Sequence, residues 1–181
     1  MDGVAAVTPR EPVAAPATIR LNQLVGSGSL TGVDPRAFRA MDYELAEGSP
    51  QLGRFTVVVG ARTGESFVDP RRRTAASADE PLDLYGRTLN VELVRTDENG
   101  EVLTRQVRLR VGGVLAEGAG QDDYTIFMAL DDAEDLTAWA LGQRPNRRVD
   151  GYSQATVIVD DLEQVLNVEQ TLLMDGFFAF S

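Results

Sequence analysis

Between residues 88 and 111 apolar side chains recur at a period of two: Leu89, Val91 and Leu93, then, after Thr96-Asp97-Glu98-Asn99-Gly100, Leu103, Val107, Leu109 and Val111. Such alternation marks strands with one buried face. Asn99-Gly100 between the two runs is a hairpin signal, because both residues tolerate positive φ. A lone hairpin is barely stable in water, so the rest of the chain must supply strands and helices that cover its apolar side.

Both flanks supply them. Residues 124–129 read as a strand, followed by Asp131-Asp132 as an N-cap and a short helix over 133–141. Residues 155–159 read as a second strand, capped in the same way by Asp160-Asp161 before a helix from Leu162 to about Met174. Leu162, Val165, Leu166, Leu172 and Leu173 form an apolar stripe on that helix and are expected in the core. Gly176 is its expected stop, and residues 177–180 the returning strand. Strand, helix and strand in this order predict a βαβ unit with parallel strands, half of a ferredoxin-like layer.

The first fifty residues are expected to complete that layer, with strands at 4–8 and 17–21, a Gly-Ser loop at 26–29, and a short helix capped by Asp34 with Pro35 at its first position. Phe55 to Val59 reads as a buried strand, followed by a polar loop at about 63–81. The expected fold is therefore α+β: a split βαβ, ferredoxin-like lobe formed by residues 1–51 and 116–181, with a small β-rich lobe, 52–115, inserted into it.

Composition removes most chemistry. The chain has no His, no Cys and no Lys, all 17 basic residues being Arg. That excludes Ser-His-Asp and Cys-His nucleophiles, Cys/His zinc sites, Schiff-base lysines and lysine-bearing phosphate loops. Gly60-Ala61-Arg62-Thr63-Gly64-Glu65-Ser66 follows a strand but is one residue too short for a phosphate loop and places Glu65 at the lysine position. Gly26, Gly28 and Gly32 miss the dinucleotide spacing. The acidic pairs at 131–132 and 160–161 read as helix caps rather than acid/base or cation-binding pairs, and residues 97–101 lack the alternate spacing of a calcium loop. No catalytic, cofactor-binding or metal-binding residue is expected.

A net charge of -11 argues against nucleic acid and anionic lipid, which need a basic patch. Arg71, Arg72 and Arg73 form the one basic cluster, offset by Asp69, Asp79 and Glu80, and read as a solvated loop or an anion contact. Trp139, near the end of a short helix, either packs inward or offers a contact patch. The expected partner-contact surfaces are this arginine loop, the hairpin tip with Asp97, Glu98 and Asn99, and the neighbourhood of Trp139. The longest unbroken apolar stretch, residues 126–130, is far short of the roughly 20 residues that span a bilayer. The N-terminus has no basic start or apolar core of an export signal, so a cytoplasmic protein and an excised fragment both stay open.

Eight segments, in order, resemble the periplasmic core of FtsX/MacB-type ABC-transporter permeases. They are Asp2-Gly3-Val4-Ala5-Ala6-Val7-Thr8-Pro9, Leu30-Thr31-Gly32-Val33-Asp34-Pro35-Arg36-Ala37-Phe38, Tyr43-Glu44-Leu45-Ala46-Glu47-Gly48, Val57-Val58-Val59-Gly60, Gly86-Arg87-Thr88-Leu89, Val111-Gly112-Gly113-Val114, Ile126-Phe127-Met128-Ala129-Leu130, and the closing stretch 155–180. Correspondence fades over the loop at 63–81. The resemblance implies a non-catalytic domain on the outer face of the cell membrane, between the first two membrane helices of a dimeric parent. It implies a split α/β "porter" lobe and a smaller β-rich lobe. It also implies a separate cytoplasmic ATP-hydrolysing subunit and a protein, peptide or lipid cargo, with no cofactor and no nucleic acid. A small-molecule sensor domain, or an enzyme using only Asp, Glu, Arg and Tyr, are the competing readings of the same residues.

Overall fold

The computed structural model describes residues 3–71, 74–75 and 82–179. Among these, one mixed sheet of twelve strands dominates, and helices are few. The strands are β1 (Val4–Pro12), β2 (Ala17–Leu21), β3 (Leu24–Gly26), β4 (Ser29–Val33), β5 (Leu45–Gly48), β6 (Thr56–Val59), β7 (Val68–Asp69), β8 (Thr74–Ala75), β9 (Thr88–Thr96), β10 (Val102–Leu115), β11 (Thr125–Ala129) and β12 (Gln154–Val159). The helices are α1 (Pro35–Ala40), α2 (Leu130–Leu141), α3 (Arg147–Asp150) and α4 (Val165–Met174). The sheet order is β12-β1-β4-β11-β6-β10-β9-β2-β3-β7-β8, with β5 also on β10.

The alternating hairpin is as its sequence predicts, with β9 and β10 antiparallel and Leu89, Val91, Leu93, Val107, Leu109 and Val111 buried. Its turn differs. Asn99 stays out of the left-handed region, and Gly100 alone in the turn takes positive φ, at 82°. The Asp97 carboxylate accepts from the backbone N–H groups of Asn99 and Glu101, which closes a longer loop than a two-residue turn.

The central strands bury both faces. Val57 and Val59 of β6, with Ile126 and Met128 of β11, join one core that α2 covers with Ala133 and Leu136. The intervening Val58 and Phe127 join a second core with Phe38 of α1, Val33 and Leu115. The sheet also curls. A Cβ placed on Gly28 would lie 3.3 Å from Ile126 Cδ1 and 3.4 Å from Ile19 Cδ1, yet β11 and β2 are four steps apart in sheet order, about 19 Å if the sheet were flat.

Helix α2 comes unusually close to β4, since a Cβ on Gly32 would fall 2.3 Å from Ala133 Cβ, so only glycine admits the helix here. The start of α2 corrects the capping expectation. Its N-cap is Ala129, without a side-chain cap, and the buried Asp132 carboxylate accepts instead from the Phe55 backbone N–H at 2.7 Å. Phe55 has φ 49°, and this tertiary bond anchors a backbone conformation that a large side chain seldom adopts. Asp34 and Asp161 do cap, accepting from Arg36 and Ala37 and from Glu163 respectively.

The C-terminal expectations fare less well. Strand β12 is antiparallel to β1, β1 to β4, and β4 parallel to β11, so β11-α2-β12 joins parallel strands with two others between them. Residues 177–179, however, form no strand, and Phe180 lies outside the described residues. Nor does any of the five stripe residues reach the core: Leu162 is 87% and Leu166 69% exposed, Leu173 is exposed, Val165 and Leu172 are half-buried, and the residue this helix buries is Val168, outside the expected stripe. With no strand after it among the described residues, the helix leaves much of its apolar surface in solvent. A mixed α/β fold with one large mixed sheet and few helices is thus present among the described residues.

The role of Asp132 can be measured. Asp132→Ala is expected to lower stability in urea unfolding by about 1–3 kcal/mol, the cost of orphaning a buried donor. Asp131→Ala, which removes an exposed carboxylate from the first turn, should cost under about 1 kcal/mol. Equal effects would restore a capping role to both.

Candidate functional site

The residues singled out from sequence lie at separate places. Asp97, Glu98 and Asn99 form the exposed tip of the β9–β10 hairpin. The N–H groups of Glu101 and Asn99 hold the Asp97 carboxyl below the usual carboxylate range. Arg71 is exposed, its backbone N–H donating to Asp69 Oδ1, while Arg72 and Arg73 lie outside the described residues. Trp139 is half-buried on α2, packed against the larger core, and the Arg95 guanidinium sits 5.4 Å from its ring centroid.

That last contact ties two elements together. Arg95 belongs to β9, and from β10 Arg105 Nη1 reaches the Asp135 carbonyl at 3.3 Å. Both arms of the hairpin therefore hold α2 on one side, while Asp132 and Ala133 hold its first turn against Phe55 and β4.

A second assembly was invisible in the sequence. On β1, Arg10 donates to both oxygens of Asp122, at 2.7 and 3.3 Å, and Tyr43 OH donates to Asp122 Oδ2 at 2.6 Å. The Arg10 guanidinium also lies 5.3 Å from the Phe127 ring centroid, and Tyr43 packs on Phe38 and Phe127. Three segments distant in sequence meet here: β1, the turn after α1 and the 3-10 turn before β11. Burial first, and then the hydrogen bond to Asp122, push the Tyr43 phenol well above its ordinary pKa. The one available hint was Asp122 in the acidic pair 122–123, and nothing in its spacing points to Arg10. Asp123 accepts instead from the backbone N–H groups of Gly118 and Ala119.

Beside α2, Arg147 pairs with Glu11 and lies 4.9 Å from the Tyr152 ring centroid, and Tyr152 OH donates to Glu134 Oε1 at 2.5 Å. That bond is the main reason the Tyr152 pKa is pushed up to about 12. Glu134, Arg144, Arg147, Arg148 and Tyr152 border an open cleft of about 310 Å³. Its charges are largely matched, because Arg144 also pairs with Asp135.

These groups make ties rather than a reaction centre. Both Asp122 oxygens are occupied, and the tyrosines hold their protons against neighbouring carboxylates. Among the described residues no group of acidic side chains is arranged to hold a metal ion, and no helix is long and apolar enough to cross a membrane.

The raised tyrosines carry a pH signature. Each favours the neutral phenol in the folded state, so its contribution to stability is present below the free tyrosine pKa of about 10 and fades as pH rises through the folded value. Of the four tyrosines, Tyr43 should add almost nothing to phenolate absorbance at about pH 11. Tyr43→Phe should therefore leave that amplitude unchanged; a loss of about a third, Tyr152 also being largely protonated at that pH, would show Tyr43 titrating normally.

Residues 1–172 match the family described as MacB-like periplasmic core domain. No curated protein matches the chain. Among solved structures it is similar to the extracellular domain of the noncanonic ABC-type transporter YknZ from Gram-positive bacteria, at 14% identity and a TM-score of 0.50, covering 97% of this chain and 77% of the other. A domain of a putative permease protein from Porphyromonas gingivalis aligns at 14% identity and a TM-score of 0.46, over 96% of this chain and 64% of the other.

Proposed function

The chain belongs to the family of MacB-like periplasmic core domains, and from that premise we propose that it is the outer, non-catalytic domain of an ABC-type transporter permease. In this reading a cytoplasmic subunit hydrolyses ATP, membrane helices of a dimeric parent carry the movement outward, and this domain passes it to a protein, peptide or lipid held outside the membrane. Residues 1–51 and 116–181 act as a porter-like split α/β lobe and 52–115 as the inserted β-rich lobe. Partner contacts fall on the hairpin tip at Asp97, Glu98 and Asn99, on the loop with Arg71, Arg72 and Arg73, and near Trp139.

The observation that carries the reading is the position of α2. The hairpin reaches one side of it through Arg95 over Trp139 and Arg105 on Asp135, and its first turn is fixed by Asp132 on Phe55. A rigid element held in this way passes a displacement of the hairpin tip to the central strands without chemistry. The matched charges of the cleft and the fully occupied Asp122 support a mechanical role over a catalytic one.

The test is one of placement. A protease site inserted between Glu98 and Asn99 in the full reading frame should be cut in intact cells by a protease added outside. Cutting only after lysis would return the domain to the cytoplasm and overturn the proposal.

A further inference from the structure

Helix α4 is apolar on two opposite faces. One packs inward through Val168, the residue that the helix buries. Leu166 lies two residues earlier, about 200° round the helix, and Leu173 stands about two turns beyond Leu166 on the same side. Both are exposed, at 69% and 47%, and Leu162, in the turn before the helix, extends their line. Phe177, also exposed, continues the apolar surface just past the end. A helix needs only one apolar face to join a core, and a helix with two is ordinarily covered on both. Single apolar residues scattered over a surface are normal, but an aligned row of them marks a contact.

The rim of the row indicates the charge of what covers it. From Gly151 onward the chain has five acidic residues, Asp160, Asp161, Glu163, Glu169 and Asp175, and no basic one. Glu163 and Glu169 stand three residues before and after Leu166, and so about 60° to either side of it. We propose that this face receives an amphipathic helix of another protein, laid along α4, whose apolar stripe is flanked by Arg or Lys. The stripe buries Leu162, Leu166 and Leu173, and the basic flanks meet the acidic rim, so that apolar anchors supply affinity and charge supplies orientation. A second copy of this chain brings the same acidic rim and is repelled. A bilayer fits less well, because helices that lie on membranes are rich in Lys or Arg on their polar face, and α4 has neither. The inference stands on α4 alone and holds on whichever side of a membrane the domain lies.

The probe is a fluorescein-labelled helical peptide of about 18 residues, five turns, with leucines along one face and arginines on both sides of them; a twin carries glutamate in place of arginine. The arginine peptide should bind the chain saturably and more weakly as salt is raised, and the glutamate twin should not bind. Leu166→Ser and Leu173→Ser should each weaken binding about tenfold or more. Glu163→Arg should weaken it several-fold. Circular dichroism should not change in any of the three, since all three side chains are exposed. Val102→Ser on β10 and Glu47→Arg on β5, also exposed, make the same kinds of change elsewhere and should leave binding as it was. Absence of saturable binding, equal binding of the twin, or losses no larger at α4 than at Val102 and Glu47 would overturn the proposal. So would Leu166-dependent sedimentation of the chain with phosphatidylcholine vesicles, which would give the face to lipid.

Discussion

The approach of α2 to the sheet at Gly32 sets the positions of most of the rest. Removing one side chain from β4 lets Ala133 descend until the two backbones nearly touch. Close packing there places Asp132 against the Phe55 N–H, Leu136 in the larger core and Trp139 under Arg95. A larger residue at position 32 would lift the helix and loosen all three contacts together, because packed interiors transmit such shifts rather than absorb them.

The charged groups do a related job on the opposite side. Arg10, Asp122 and Tyr43 are each partly buried, and Arg10 and Tyr43 both donate to the Asp122 carboxylate. Such a cluster adds modest net stability, because desolvation offsets much of the attraction. It does fix geometry: a bidentate guanidinium and a phenol on one carboxylate tolerate little displacement of β1 relative to the turn after α1. With Arg147 on Glu11, the first strand is tied at adjacent residues to parts of the chain more than a hundred residues away.

Local signals in the sequence were reliable wherever a strand or helix is defined by its own residues. The β9–β10 alternation, the Asp34-Pro35 helix start and the strand at 125–129 all follow from neighbours. Long-range pairing was not legible. Nothing local says that β1 pairs with β12, that Asp132 bonds to Phe55 rather than to its own helix, or that Arg10 seeks Asp122. The apolar stripe after Leu162 misled for the opposite reason: amphipathic spacing requires a cover but does not provide one. Recognition of the family rested on the order of eight weak segments, most of them strands or their ends, and so on the elements that local chemistry determines best.

The sheet order also has a temporal side. Strand β1 is made first, yet one of its two partners, β12, lies some 150 residues later. β4 likewise waits for β11. At ribosomal rates of about 5–20 residues per second, the opening strand spends on the order of ten seconds without its final neighbour. During synthesis the first half of the chain is thus an incomplete sheet with an open flank. Two prolines in the second half of β1, Pro9 and Pro12, limit what else can attach there, since a residue without an N–H is a poor template for stray strands.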